Sequence, residues 1–202
     1  MTIKDAKRNF VIDEAIRLFL EKSITSVTIK DIAKSSGIGE ATIYRYFEGR
    51  GELVVACALK LQSEVEKMFL GVDASGAGYQ KLERFYSAYL DVFENRPELY
   101  RFLCEFDSFY VGENASELDE YADNMDKFKE AFCKAYDEGV ADGSVKRLED
   151  VNLFYYSTTH AVLSLCKKLA LEGGLIRQDR LTDKAAEVKM IIALILDSLK
   201  AV

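Results

Sequence analysis

The chain has 202 residues, 49% of them hydrophobic and 30% charged, with a single proline; this globular composition excludes collagen-like, proline-rich and disordered classes. Its net charge of −7 argues against a protein that coats nucleic acid indiscriminately, yet residues 1–55 hold nine Lys/Arg against eight Asp/Glu, so the acidity falls in the remainder. No apolar run approaches the ~20 residues that a membrane-spanning helix needs, and no apolar signal-peptide core follows the first residues, so a cytoplasmic protein is expected.

In the first segment, over residues 4–22, Val11, Ile12, Ala15, Leu18 and Phe19 recur with the spacing that lines one face of a helix. A short helix follows from Thr28, whose hydroxyl caps its start while Asp31 completes a T-x-x-D box. Gly37 interrupts it, and Glu40 to Phe47 reads as a second short helix. Gly49 and Gly51 punctuate the chain before a long helical run from Glu52 to about Leu70. Residues 71–78, with three glycines, read as a loop. Next comes a stripe of Leu82, Phe85, Tyr86, Tyr89 and Phe93, and Pro97 then fits the first turn of a helix carrying Leu99, Phe102, Leu103, Phe106, Phe109 and Tyr110. A further helix contains Leu118, Tyr121, Phe128, Phe132 and Tyr136 and stops near Gly139 or Gly143. Two more cover about 150–172 and 182–200, separated by Gly173-Gly174. No strand pattern or internal repeat emerges, so the expected fold is all-α with about nine helices.

Residues 27–47 carry the pattern of a helix-turn-helix. The capped first helix turns Ile32 and the small Ala33 inward, Gly37 supplies the positive φ of a sharp turn, and Ile38 fills the corner. Ile43 and Phe47 anchor the second helix. Its other face offers Glu40, Thr42, Tyr44, Arg45 and Tyr46. Three consecutive residues, Tyr44 to Tyr46, cannot all face a core. Two helices this short bury little alone, so the first helix must complete a three-helix core through Val11, Ala15, Leu18 and Phe19.

Residues 11–53 resemble the DNA-binding domain of the tetracycline-repressor (TetR) family. The matching residues are Val11-Ile12, Ala15, Leu18-Phe19, Thr28, Asp31-Ile32-Ala33, Gly37-Ile38, Thr42 to Phe47 and Glu52-Leu53. The resemblance implies a helix-turn-helix domain over 1–49 and a helical ligand-binding and dimerisation domain over 50–202. It makes residues 40–46 the recognition helix in the major groove. Tyr44, Tyr46 and Thr28 match phosphate-contacting positions, and Arg50 falls where the family often has a backbone-reaching lysine. Thr42 is the candidate for base edges, such as a thymine methyl, while Arg45 reads guanine, binds phosphate or pairs within the domain. Gly39 and Glu40 begin the recognition helix where the family frequently has Ser-Lys. Glu40 either accepts from a cytosine amino group or interacts with the helix N-terminus.

Eighteen of the 23 aromatic residues lie beyond residue 55. Such stripes are core by default, but the resemblance implies an effector pocket, for which the candidates are Tyr89, Phe93, Phe102, Phe106, Phe128, Phe132 and Tyr155. Glu94, Glu105 and Asp107 nearby suit a cationic or polar organic ligand; a lipid-like or aromatic ligand is the alternative. Residues 188–199 are apolar on too many sides for one neighbour, which points, with the helix before them, to a homodimer interface.

Cys57, Cys104, Cys133 and Cys166 are too far apart for a zinc knuckle or CxxC pair, and His160 is the only histidine, so no metal, cofactor or catalytic group is expected. The thiols read as small buried hydrophobes, with a redox switch as the alternative. The sequence therefore predicts a ligand-responsive regulator, not an enzyme: a repressor that binds a palindromic operator as a dimer and is released by a small organic effector. The rival reading is a small-molecule-binding protein or enzyme with a vestigial helix-turn-helix.

Overall fold

The computed structural model describes residues 2–70, 75–110, 118–171 and 177–201. Among these residues the elements are α1 (Ile3–Glu21), α2 (Ile29–Ser36), α3 (Glu40–Tyr46), α4 (Arg50–Leu70), α5 (Gly78–Asn95), α6 (Pro97–Tyr110), α7 (Asp119–Asp142), α8 (Val151–Ala170) and α9 (Lys184–Leu199), with a 3-10 turn at Arg177–Arg180. No strand occurs among them; the one extended pairing is a single bridge between Val145 and Lys200. The all-α expectation holds.

Local chemistry sets the helix starts. Thr2 and Thr28 each cap a helix in a reciprocal box with Asp5 and Asp31. The Asp150 carboxylate accepts from the Leu153 amide at 2.9 Å, and Asp183 caps α9. Pro97 opens α6, where its missing N–H costs nothing.

Of the two expected stops for α7, Gly143 is the one that holds: the helix ends at Asp142, Gly143 follows at φ +78°, and Gly139 lies inside its last turn. Two boundaries differ from the expected ones. Gly51 lies inside α4, which begins at Arg50. Gly78, at the end of the expected loop, is the buried first residue of α5. Residues 71–74 of that loop and the Gly173-Gly174 break lie outside the described residues.

The chain forms two compact units, residues 1–63 with 101–122, and residues 64–100 with 123–202. The first takes in α1–α3, most of α4, most of α6 and the first residues of α7. Its core contains Val11, Ala15, Leu18, Phe19, Ile24, Ile32, Ile43, Phe47 and Leu53, all buried. The second is built from the end of α4, α5, the start of α6, the rest of α7, and α8 and α9. Within it α5 packs on α8 and α9 around Leu82, Phe85, Tyr86, Phe132, Val162 and Leu199.

Candidate nucleic-acid interface and aromatic interior

The turn between α2 and α3 depends on Gly37, whose φ of +67° is the left-handed conformation that L side chains rarely adopt. Beyond it, Gly39 in extended conformation leads into α3 without a side-chain cap, and Glu40 occupies the first helical turn. Ile43 is fully buried, fixing the rotation of α3, and Phe47 is buried just after its end. The Arg8 guanidinium lies 4.8 Å from the centre of the Phe47 ring, tying α1 to that end. The same rotation turns Tyr44, 53% exposed, outward together with Glu40 and Arg45. Thr42 and Tyr46 are half-buried, and Arg45 stands over the Tyr46 ring at 5.8 Å.

Further contacts hold α2. Ser35 donates to the Glu14 carboxylate at 2.7 Å and accepts from Arg17, whose guanidinium also pairs with Glu14 and Glu21. Thr28 is exposed, and its hydroxyl is engaged with the Asp31 carboxylate at 2.6 Å, which holds the Asp31 carboxyl below its ordinary range.

Arg50 is placed differently from the exposed residues of α3. Its guanidinium donates to the Ile24 carbonyl and lies 5.3 Å from the centre of the Phe109 ring. The Ile24 amide donates to the Glu105 carboxylate, and the Tyr110 hydroxyl donates to the Gly51 carbonyl at 2.8 Å. The turn after α1 is thus held by oppositely charged side chains from α4 and α6. Sequence reasoning missed Glu105, Phe109 and Tyr110 as supports of this domain: Glu105 is 81 residues from Ile24, and no local pattern joins them.

The expected pocket residues fall into two groups. In the second unit Phe69 lies 4.8 Å from Tyr89 and 5.3 Å from Phe128, both edge-on, while Phe85 lies 5.6 Å from Phe132 and Phe132 lies 5.1 Å from Tyr155. Phe93 sits 6.3 Å from Tyr100. Polar handles run through this interior: Tyr86 shares a 2.6 Å hydrogen bond with Thr158, and Tyr100 donates to the Tyr89 carbonyl at 2.9 Å. Burial pushes the Tyr89 hydroxyl well above its usual range. Phe102 and Phe106 instead belong to the first unit, stacked at 6.1 Å. Phe69 was missed because it closes a helix whose period points nowhere distinctive.

The outer faces of α8 and α9 remain apolar. Leu153, Tyr156, Met190 and Leu194 are exposed, whereas Val162, Val188, Ile192, Ile195 and Leu199 are buried within the chain. His160 is exposed beside Tyr156. All four cysteines are free, with Cys57 and Cys166 buried. Among the described residues no His/Cys/Asp/Glu group forms a metal site, and no helix is long and apolar enough to cross a membrane.

The family model for bacterial regulatory proteins of the tetR family matches residues 11–57. That stretch is similar to the family's helix-turn-helix segment. The match takes in the α2–α3 turn, the exposed face of α3 and the start of α4. An uncharacterized HTH-type transcriptional regulator of Mycobacterium tuberculosis is 41% identical over 46 residues, a stretch spanning 23% of this chain and 23% of that protein. Solved structures are similar over nearly the whole length. The TetR-family transcriptional regulator PfmR of Thermus thermophilus is 21% identical with a TM-score of 0.66, covering 94% of this chain and 98% of that one. A Saccharomonospora viridis protein solved in complex with choline is 14% identical with a TM-score of 0.77, covering 98% of this chain and 100% of that one. At these identities the likeness is one of fold, the all-α TetR fold.

Proposed function

We propose that the protein is a homodimeric, ligand-responsive transcriptional repressor, with residues 1–49 reading DNA and residues 50–202 binding an effector and a second copy. The observation that carries this is the outward set on α3, with Tyr44 half-exposed and Arg45 beside it, on a helix whose rotation is fixed by the fully buried Ile43. No packing requirement explains an exposed tyrosine there. Thr28, Gly39, Glu40, Thr42, Tyr44, Arg45 and Tyr46 form the DNA-facing set; Arg50 acts through the turn it holds. The effector site uses Tyr89, Phe93, Phe128, Phe132 and Tyr155, and the choline found with one protein of the same fold supports a small organic ligand. Occupancy shifts α4, which contributes residues to both units, and changes the separation of the two recognition helices.

The deciding experiment is a fluorescence-anisotropy titration against the DNA flanking the protein's own gene. Tyr44→Ala is expected to weaken sequence-selective binding by about tenfold, the value of one charge-assisted hydrogen bond, with helicity unchanged because the side chain is exposed. Undiminished binding by that variant would remove α3 from the interface.

The second copy docks on the outer faces of α8 and α9. A hydrophobic groove there is lined by Leu165, Ala186, Met190, Ile191 and Leu194, and exposed leucines and a methionine at such density suit a partner helix pair. Two recognition helices about one turn of DNA apart then require a near-palindromic operator. In sedimentation, Leu194→Asp is expected to raise the dimer dissociation constant by about tenfold or more, since it puts a charge where the proposed interface covers an exposed leucine. A wild-type chain that is monomeric at micromolar concentration would sink this interface.

A further inference from the structure

Three tyrosines of the second unit, Tyr86 and Tyr89 on α5 and Tyr100 on α6, hold their hydroxyls inside it, and two of the three are committed. Thr158 gives its proton to the Phe154 carbonyl at 2.7 Å, so in the 2.6 Å bond with Tyr86 the tyrosine donates. Tyr100 donates to the Tyr89 carbonyl at 2.9 Å. The Tyr89 hydroxyl has no hydrogen-bond partner among the described residues. Phe69 meets its ring edge-on at 4.8 Å, Phe85 lies 6.2 Å away, and Tyr86, Tyr155 and Cys166 are the titratable groups that act on it. Burial is the main cause that lifts this hydroxyl well above its usual range, yet Tyr89 keeps accessible surface. Accessible surface on a side chain so enclosed borders a space inside the unit. An uncommitted donor there is met by water or by a ligand.

That space is without charge. Among the described residues the one buried charged side chain of the unit is Asp179, which pairs with Lys168 at 3.0 Å. No carboxylate or ammonium acts on the Tyr86, Tyr89 or Tyr100 hydroxyls; Asp126 acts on Tyr155 alone, as the weakest of the influences there. The acids expected to draw a cation lie elsewhere. Glu94 and Asp107 are exposed, and the Glu105 carboxylate accepts from the Ile24 amide in the first unit. An ion entering such an interior gives up its hydration and finds no counter-charge, which is costly. An uncharged ring system instead gains by burial, and an acceptor atom on it pairs with Tyr89.

We infer that the effector site takes an uncharged aromatic molecule bearing an acceptor oxygen, such as an aryl ketone, and that the Tyr89 hydroxyl donates the hydrogen bond that orients it against Phe69 and Phe85. This rests on the reading of these aromatics as the effector site and names the class of compound they accept. Tyr89 is the specificity-determining contact; the rings supply affinity without selecting between neutral compounds of one size.

Calorimetric titration of the full chain with aryl methyl ketones of one and two rings tests this, each ketone run beside its ethyl hydrocarbon, its carboxylate and its trimethylammonium counterpart. At least one ketone is expected to saturate at one per chain, with its hydrocarbon about fivefold weaker, the value of one neutral hydrogen bond, and both ions weaker by about tenfold or more. Tyr89→Phe removes a single oxygen. It is expected to bring the ketone down to the affinity of the hydrocarbon and to leave the hydrocarbon unchanged. The Tm of the unliganded variant should equal or exceed that of wild type, because no protein partner is lost. A ketone that binds Tyr89→Phe as well as wild type removes the anchor, and an ion that binds as tightly as its ketone removes the neutral class. A lowered Tm in unliganded Tyr89→Phe would assign the hydroxyl to the fold, and no saturation by any ketone overturns the inference outright. The same compounds added to the protein–DNA complex test the effector reading separately. Tyr89-dependent binding without release of DNA keeps the site and removes its effector role; release by the ions alone keeps the effector reading and removes the neutral class.

Discussion

Gly78→Ala is expected to destabilise the second unit by about 3 kcal/mol or more and to lower Tm by roughly 6–12 °C. Helix propensity alone predicts the opposite sign, because alanine inside a helix is better than glycine by about 1 kcal/mol. Packing decides. A β-carbon on Gly78 would sit 2.0 Å from the Gly139 amide nitrogen, 2.2 Å from its α-carbon and 2.6 Å from the Ala135 carbonyl oxygen. All three atoms belong to the α7 backbone, so no side-chain rotation relieves the clash and the helices must separate. Separation would also break the hydrogen bonds that start α5, where the Gly78 amide donates to Asp142 at 2.8 Å and the Tyr79 amide donates to Ser144 at 3.0 Å. Gly139→Ala is the milder companion, since its β-carbon meets mainly the Val145 side chain, at 2.4 Å, and Val145→Ala should partly rescue it. Gly49→Ala faces open space and serves as the control. Thermal unfolding followed by circular dichroism reads all three; a Gly78→Ala variant as stable as Gly49→Ala would refute the close crossing.

That pair of glycines shows where sequence reading stops. Helix positions were legible because period, caps and breakers act within a few residues: Thr28 with Asp31, Gly37 in its turn, Pro97 at the start of α6. The outward face of α3 was legible for the same reason, since a run such as Tyr44-Arg45-Tyr46 after a buried Ile43 dictates which side faces out. Gly78 and Gly139 carry no such local signal. Each looks like a breaker, and only the crossing of two helices distant in sequence makes them contact residues. The aromatic stripes likewise revealed which residues are interior, but not that Phe102 and Phe106 fall in a different unit from Phe128 and Phe132.

Arg50 raises the same issue beside the helix-turn-helix, and leads to the second large effect. Glu105→Leu is expected to cost about 2–3 kcal/mol and to weaken DNA binding, though Glu105 is remote from α3 in sequence. Ile24 is fully buried in the turn after α1, and its amide depends on the Glu105 carboxylate while its carbonyl accepts from Arg50. Leucine fills the space but accepts nothing, so a buried N–H is left orphaned. The turn feeds Val27 and Ile29, both buried, into the start of α2, so its loss displaces the helix that supports α3. Glu105→Gln keeps an acceptor oxygen in reach of the amide and should recover most of both losses. Arg50→Lys keeps the charge but loses the planar stacking on Phe109, and should fall between wild type and Glu105→Leu. Anisotropy against operator DNA, with chemical denaturation of each variant, separates the two roles of Arg50. If it touches phosphate directly, Arg50→Gln, which removes the charge, lowers the salt dependence of binding while stability holds. If it acts by holding the turn, stability and affinity fall together and the salt slope is unchanged.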